Sequence, residues 1–236
     1  MSEKQLVDGE LYESRFRFKE RRSNARFYLV LLSIILAILV FHTQFKSIFS
    51  GVTVDGASMS RTLTDGDNLL MRYADGRKKA ERGDVIVVYV YHYPEFYNRP
   101  VYPGQTPTKY LVKRLIAIEG DKVKCKDGQV SICYAGTDEY VDLYEPYAYY
   151  GENEWYKTRY DFEEYEVGEG EIFFLGDNRS SNKSSSDSRY KENHSSLDCL
   201  YKETDIYGVV PEWAIKQRTL LEALFFPTEF FKKLFQ

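Results

Sequence analysis

The apolar residues of this chain fall into one long run and many short ones. The long run is Phe27-Tyr-Leu-Val-Leu-Leu-Ser-Ile-Ile-Leu-Ala-Ile-Leu-Val-Phe41, and it stays uncharged through Gln44 to Phe45. A helix over Phe27–Phe45 would reach roughly 28 Å at about 1.5 Å per residue, the hydrocarbon thickness of a bilayer. No polar stripe at helical spacing marks a face turned to water. No small-x-small cleavage site follows, because the next residues are Lys46-Ser-Ile-Phe-Ser50. The pattern therefore predicts an uncleaved transmembrane signal-anchor over 27–46. Arg15, Arg17, Lys19, Arg21, Arg22 and Arg26 precede it. Such a cluster keeps residues 1–26 in the cytoplasm and places the chain from about Ser47 on the extracytoplasmic side of a cell membrane, as a single-pass protein.

The short runs have the lengths and flanks of strands. Val85-Ile-Val-Val-Tyr-Val-Tyr91 is apolar on both faces and predicts a buried strand. Tyr110-Leu-Val-Lys-Arg-Leu-Ile-Ala-Ile118 predicts another. Alternation sets Lys113 with Leu111 and Leu115, and Arg114 with Val112 and Ile116. Lys122–Cys133 predicts a hairpin turning at Asp127-Gly128, with Cys125 opposite Val130 and Cys133 opposite Lys122. That register keeps the two sulfurs too far apart to bond. Glu171–Leu175 and Asp205–Pro211 predict further strands. Residues 92–108 contain Pro94, Pro100, Pro103 and Pro107 and read as a loop, with His92 on its surface. The expected fold is mainly β. An antiparallel catalytic core over 47–123 and 169–215 carries an acidic, tyrosine-rich inserted β-lobe over 124–168. An amphipathic tail over 216–236 follows, suited to an interface.

Composition narrows the possible roles. The 236 residues carry a net charge of −4, which argues against a nucleic-acid partner. Cys125, Cys133 and Cys199 are too few, and odd in number, for a disulfide scaffold. Tyrosine occurs 21 times and suits strands and half-wet surfaces.

Candidate chemistry gathers at two points. Ser58 follows a short alternating segment, Val52-Thr-Val54, and has the small Ala57 before it. A nucleophile needs that placement, held by a strand and open on one side. Lys113 lies between leucines, where burial disfavours the charged amine and leaves a competent general base. His42, His92 and His194 lie in the span or in loops and form no triad with Ser58. No zinc-spaced cluster and no phosphate-binding glycine loop occurs, so no metal or cofactor is expected. A serine activated by a neutral lysine remains.

Four blocks in chain order resemble the bacterial type I signal peptidases. Gly56-Ala-Ser58-Met59-Ser-Arg61-Thr62-Leu63-Thr-Asp-Gly66-Asp67 is similar to the nucleophile block G-x-S-M-x-P-T-L-x-x-G-D of that family. Arg82-Gly83-Asp84-Val85-Ile-Val resembles R-G-D-[IV]-V-V. Leu111-Val112-Lys113-Arg114-Leu115, continuing to Gly120-Asp121, resembles the general-base block. Gly176-Asp177-Asn178-Arg179, then Asp187-Ser188-Arg189, resembles the last block, G-D-N-R-x-x-S-x-D-S-R. With the upstream anchor, the resemblance covers roughly residues 27–211.

The resemblance implies that Ser58 attacks the scissile carbonyl, that Lys113 takes its proton, and that the Ser58 N–H helps hold the oxyanion. It implies that Ser185 orients the lysine. Asp187 would pair with Arg189 or Arg114 and fix the loop, with Asp177 in the same block. It further implies that a secreted preprotein binds as an added strand between the segment before Ser58 and the Tyr110–Lys113 strand. Val54, Gly56, Met59, Leu63, Leu111 and Val112 would shape the binding site, whose shallow pockets would favour cleavage after Ala-x-Ala. The alternative is a catalytically impaired, membrane-anchored homologue that only binds peptides. Gly56 stands where some members carry a serine that donates to the oxyanion. Arg61 replaces the usual proline, so the bend loses a fixed φ, with altered local stiffness expected rather than loss of activity. The last block is three residues longer than the family pattern, so Ser184 or Ser186 could take the part of Ser185.

Overall fold

The computed structural model describes residues 3–74, 79–93, 96, 109–151, 161–180 and 201–234, with backbone alone over 3–23 and at Glu229. These residues form two bodies, 1–48 and 49–236. The first is one helix, α1 (Glu3–Ile48). It begins well before the expected Phe27. The polar segment is rich in Glu, Leu, Lys and Arg, all strong helix formers, so the helix continues through it. From Asn24 to Ile48 the helix is long and apolar enough to cross a membrane, and none of that segment is buried by protein. Its hydroxyls are satisfied internally: Ser33, Thr43 and Ser47 donate to the carbonyls of Val30, Val40 and Gln44. Hydrocarbon, which offers no partners, requires that.

The second body is mainly β, as the pattern predicts. Its strands are β1 (Phe49–Thr53), β2 (Asn68–Tyr73), β3 (Val85–Tyr89), β4 (Tyr110–Ile118), β5 (Lys122–Lys126) and β6 (Gln129–Cys133). There follow β7 (Tyr140–Asp142), β8 (Phe162–Glu166), β9 (Glu171–Leu175), β10 (Tyr201–Lys202) and β11 (Ile206–Val210). One sheet has the order β1-β2-β11-β3-β4-β9-β10, and a second has β7-β6-β5-β8. All pairings between these strands are antiparallel.

Strands β4 and β9 lack apolar–polar alternation because both of their faces are buried. Leu115 and Phe174 join Ile86, Val88 and Tyr201 in one cluster. Their neighbours Ile116 and Phe173 join Val123, Val130 and Ile132 in another. The β5–β6 hairpin turns at Asp127 (φ 52°) and Gly128 (φ 75°), the two positive values of a type I′ turn. It pairs Cys125 with Val130 and Lys122 with Cys133, the expected register. Neither thiol is in a disulfide. The two sheets are joined by the fully buried Asp121. Its carboxylate accepts from Arg82 Nε (2.6 Å) and Nη2 (2.8 Å) and from the Ile118 and Ala135 N–H groups. At Gly208, β11 passes β2 so closely that a Cβ would lie 2.7 Å from the Arg72 carbonyl oxygen.

The tail folds into α2 (Glu212–Lys216), α3 (Arg218–Phe225) and α4 (Pro227–Leu234). A buried carboxylate, Glu222, ties it to the sheet. It accepts from Asn68 Nδ2 (2.7 Å) and Lys233 Nζ (2.6 Å), and Asn68 Oδ1 in turn accepts from Thr53 Oγ1 (2.8 Å). Burial opposes ionisation of Glu222, but these two donors and the lysine charge hold it below the usual carboxylate range. A group depressed on folding stabilises the protein above its unfolded pKa, and that contribution is lost as pH falls through the folded value. Acid should therefore release the tail. Melting temperature is expected to fall faster between pH 5 and 3 in the parent than in Glu222→Gln, where the proton-linked part is gone. Equal slopes would remove Glu222 from the acid limb.

Candidate active site

Ser58 lies past the end of β1, at the start of a turn that runs to Thr62. The segment between is pinned to the chain that leads into β2. Val54 N–H donates to Asp67 O (2.9 Å), and Gly66 N–H donates to Val54 O (2.8 Å). Gly56 has φ 89°, and its N–H donates to Asp65 Oδ1 at 2.7 Å. A side chain at that φ is strained, so glycine suits the position. Within the turn, Thr62 and Leu63 N–H groups both donate to Met59 O.

Lys113 is on β4 and is only 2% exposed. Ser58 and Lys113 line the same cleft of about 540 Å³, with Gly51, Val52, Val54, Leu111 and Val112 among its walls. The cleft has an open edge on each side. Among the described residues β1 pairs only with β2. The first half of β4 pairs with β3 through Tyr110–Arg114, whereas β9 pairs with β4 only from Arg114 onward. Tyr110–Lys113 thus has no strand on its second side among the described residues. Of the residues expected to shape the binding site, Val54, Leu111 and Val112 line the cleft. Gly56, Met59 and Leu63 are not among its walls. Met59 and Leu63 are 1% exposed and pack into the core, because the one-turn bend at Met59 carries both inward.

Block Gly176–Arg179 holds this constellation in place. Asn178 N–H donates to Ser58 O and its Nδ2 to Ala57 O, both at 2.9 Å, so the peptide units flanking the nucleophile are clamped from below. Asp177 is fully buried and accepts from Arg114 Nε (2.8 Å), Arg114 Nη2 (2.6 Å) and Thr62 Oγ1. Arg114 also donates to Gly83 O at 2.7 Å. Burial opposes its charge, but Asp177 more than offsets this and holds the guanidinium above its ordinary pKa. Ser185, Asp187, Arg189 and the alternatives Ser184 and Ser186 lie outside the described residues. So does Cys199.

The sequence offered no sign of the next layer. The insert's return segment, Glu145–Tyr150, lies across the Gly176–Arg179 block. Glu145 takes the buried Arg179 at 2.6 Å. Arg179 N–H donates to Tyr149 O, and Tyr149 N–H donates to Asp177 O. The Tyr147 ring lies 3.9 Å from the Arg114 guanidinium. Burial and the Glu145 charge push the Tyr147 hydroxyl far up, so it stays neutral. Among so many tyrosines, nothing local distinguishes these.

Arg61 shows why a proline is missing here. Its φ is 80°, which a proline ring fixed near −65° cannot adopt, and its guanidinium covers the Tyr149 ring at 5.1 Å. The turn after the nucleophile thus includes a left-handed residue at Arg61. Arg61→Pro should lower stability by about 3 kcal/mol or more. Arg61→Gly, which suits positive φ, should stay within about 1 kcal/mol of the parent. Urea melts of the two variants in detergent check this, and a proline variant as stable as the parent would refute the bend.

A mainly β frame with a serine and a buried lysine on one open-edged cleft is compatible with a serine hydrolase. Residues 26–219 match the family model of signal peptidase, peptidase S26. Signal peptidase I of Bacillus licheniformis is 30% identical over 156 residues, covering 64% of this chain and 70% of that protein. Signal peptidase I U of Bacillus subtilis (strain 168) is 30% identical over 159 residues, covering 64% and 72%. Signal peptidase I T of the same strain is 28% identical over 155 residues, covering 64% and 68%. The chain belongs to the signal peptidase family S26 and is a serine endopeptidase.

Proposed function

We propose that this chain is anchored in the cell membrane by α1, with its N-terminus cytoplasmic, and cuts signal peptides from exported preproteins after Ala-x-Ala with a Ser58/Lys113 dyad. The observation that carries this reading is the shared cleft of Ser58 and Lys113, flanked by two uncovered strand edges. The preprotein enters as a strand between β1 and Tyr110–Lys113, where main-chain bonds supply affinity. Val54, Leu111 and Val112 leave room for small side chains.

Lys113, uncharged, takes the proton from Ser58 Oγ as that oxygen bonds to the scissile carbonyl carbon. The carbonyl oxygen becomes an oxyanion facing the Ser58 N–H. Collapse breaks the C–N bond, and Lys113 returns the proton to the departing amine of the mature protein. Water then loses a proton to Lys113, attacks the acyl-serine and releases the signal peptide, restoring both groups. The family resemblance assigns the orienting of Lys113 to Ser185, with Ser184 or Ser186 as alternatives, and the fixing of the loop to Asp187 with Arg189 or Arg114.

Detergent-solubilised protein incubated with a preprotein bearing Ala-x-Ala should yield the mature chain, with its new N-terminus directly after the second alanine. No product, or a cut elsewhere, would overturn the reading. For topology, protease added to spheroplasts should digest the chain beyond Ser47 and spare residues 1–26, while the reverse protection would reverse the orientation.

A further inference from the structure

Four tyrosines that the proposed chemistry does not use gather at the end of the cleft away from Ser58. Tyr110 lines that end beside Lys109. Its ring centroid lies 5.3 Å from that of Tyr89, its partner on β3, and 4.9 Å from that of Tyr207 on β11. Tyr207 in turn meets Tyr73 of β2 edge-on at 5.5 Å. Tyr207 enters this patch through a bulge. Ile206 pairs with Val88 and Gly208 with Val87, so Tyr207 is the extra residue of β11. A bulge re-aims a side chain. Here it leaves Ile206 buried, while Tyr207 is 38% and Tyr110 41% exposed. Burial of part of the ring, then hydrogen bonds with Tyr73 and Tyr110, hold the Tyr207 hydroxyl above the usual tyrosine range. The patch thus offers uncharged ring surface at any working pH.

Strand geometry indicates what meets it. Four antiparallel steps separate β1 from β4, so the two run the same way, each toward its member of the Ser58/Lys113 pair. The residues before a cut therefore run from that pair toward Lys109, the side that holds both strand edges. With the last of them beside Lys113, the preceding ones lie beside Val112, Leu111 and Tyr110 in turn. Neighbouring strands share the alternation of faces. Both alanines of Ala-x-Ala then look the way of Lys113 and Leu111, which are buried. The residue directly before the first alanine looks the way of Tyr110, onto the rings. Lys109, whose ammonium lies 5.7 Å from the Tyr91 ring centroid, stands at the margin and repels a cation there.

We propose that Tyr110 and Tyr207, backed by Tyr73 and Tyr89, form a specificity-determining subsite that takes a large apolar or aromatic side chain directly before Ala-x-Ala. The proposal rests on the reading of the cleft as a peptide site that cuts after Ala-x-Ala. Ring faces reward such a side chain by burial and by offset or edge-on contact. The small inward pockets then license the cut, and the outward rings choose among the peptides that carry it.

The test uses the detergent-solubilised full chain and synthetic peptides with Ala-x-Ala. One set carries leucine, phenylalanine, serine or lysine directly before the first alanine, and a second set carries the same four one residue further upstream. In the first set kcat/KM should be about tenfold higher for leucine and phenylalanine than for serine and lysine. The second set should show no such order, because that side chain looks to the other face. Tyr207→Thr and Tyr110→Thr keep strand-forming residues and should each flatten the preference of the first set. The readout is a ratio within each variant, so a loss of active protein cancels, and the two changes lie on different strands, so one that fails to fold leaves the other. Cleavage after the second alanine with no preference in the first set overturns the subsite and leaves the cleft reading standing. So does a preference found in the upstream set instead, or one that a folded threonine variant keeps. If no peptide is cut after the second alanine, the cleft reading falls, and the subsite with it.

Discussion

Ser58→Ala and Lys113→Met should each fold like the parent and lose cleavage by about 10⁴-fold or more, the scale seen when one member of a nucleophile–base unit is removed. Methionine is close to lysine in length and carries no proton acceptor, so it separates chemistry from packing at a side chain that is 2% exposed. Lys113→Arg should be equally inactive, since a guanidinium stays protonated at any working pH. The double variant should be no worse than either single one, because the two groups act as a unit. The readout is the rate of preprotein processing in detergent beside a thermal melt. Turnover by Lys113→Met within tenfold of the parent would leave Ser58 without its base.

Asp177→Ala should cost about 3–5 kcal/mol of stability, the range for removing one partner of a buried ion pair. The carboxylate is fully buried, and the Arg114 side chain is only 11% exposed. Its loss would strand a guanidinium on the same strand as Lys113 and free Thr62 from the turn that follows Ser58. Asp177→Asn keeps an acceptor for Thr62 and one for Arg114, so it should lose less. Urea unfolding of the solubilised chain distinguishes them. A fall of under about 1 kcal/mol for the alanine variant would mean that Arg114 finds a substitute acceptor.

Strands β3, β4, β9 and β11 were legible because apolar runs between turn residues mark them, and β5–β6 because Asp-Gly fixes a hairpin register; β7, β8 and β10 carry no such run. Lys113 stood out as a charge between leucines. Other features arise from long-range pairing and leave no local mark. Glu145 meets Arg179 across 34 positions of sequence, from a segment dense in tyrosines. Asn178 sits inside a recognisable block, yet its clamp on Ala57 and Ser58 depends on where the Leu175 end of β9 emerges. The proline-to-arginine exchange at Arg61 suggested a softer bend, whereas its positive φ belongs to the fold of the turn around it. The tail's periodicity announced an amphipathic segment, but only the partners of Glu222 decide which face looks inward.

Strand β4 is paired with β3 from Tyr110 to Arg114 and with β9 from Arg114 to Ile118, and Lys113 stands just before the exchange of partners. The two halves therefore answer to different selective pressures. Substitutions from Leu115 to Ala117 disturb side chains buried against β9 and the core, and should register as changes in melting temperature with cleavage preference unaltered. Substitutions at Tyr110 and Val112 alter the edge that faces the proposed peptide path, and should register as altered residue choice near the cut with little change in melting. A library scored on both axes would split along the strand at Lys113, turning one β-ladder into a boundary between heritable stability and heritable taste.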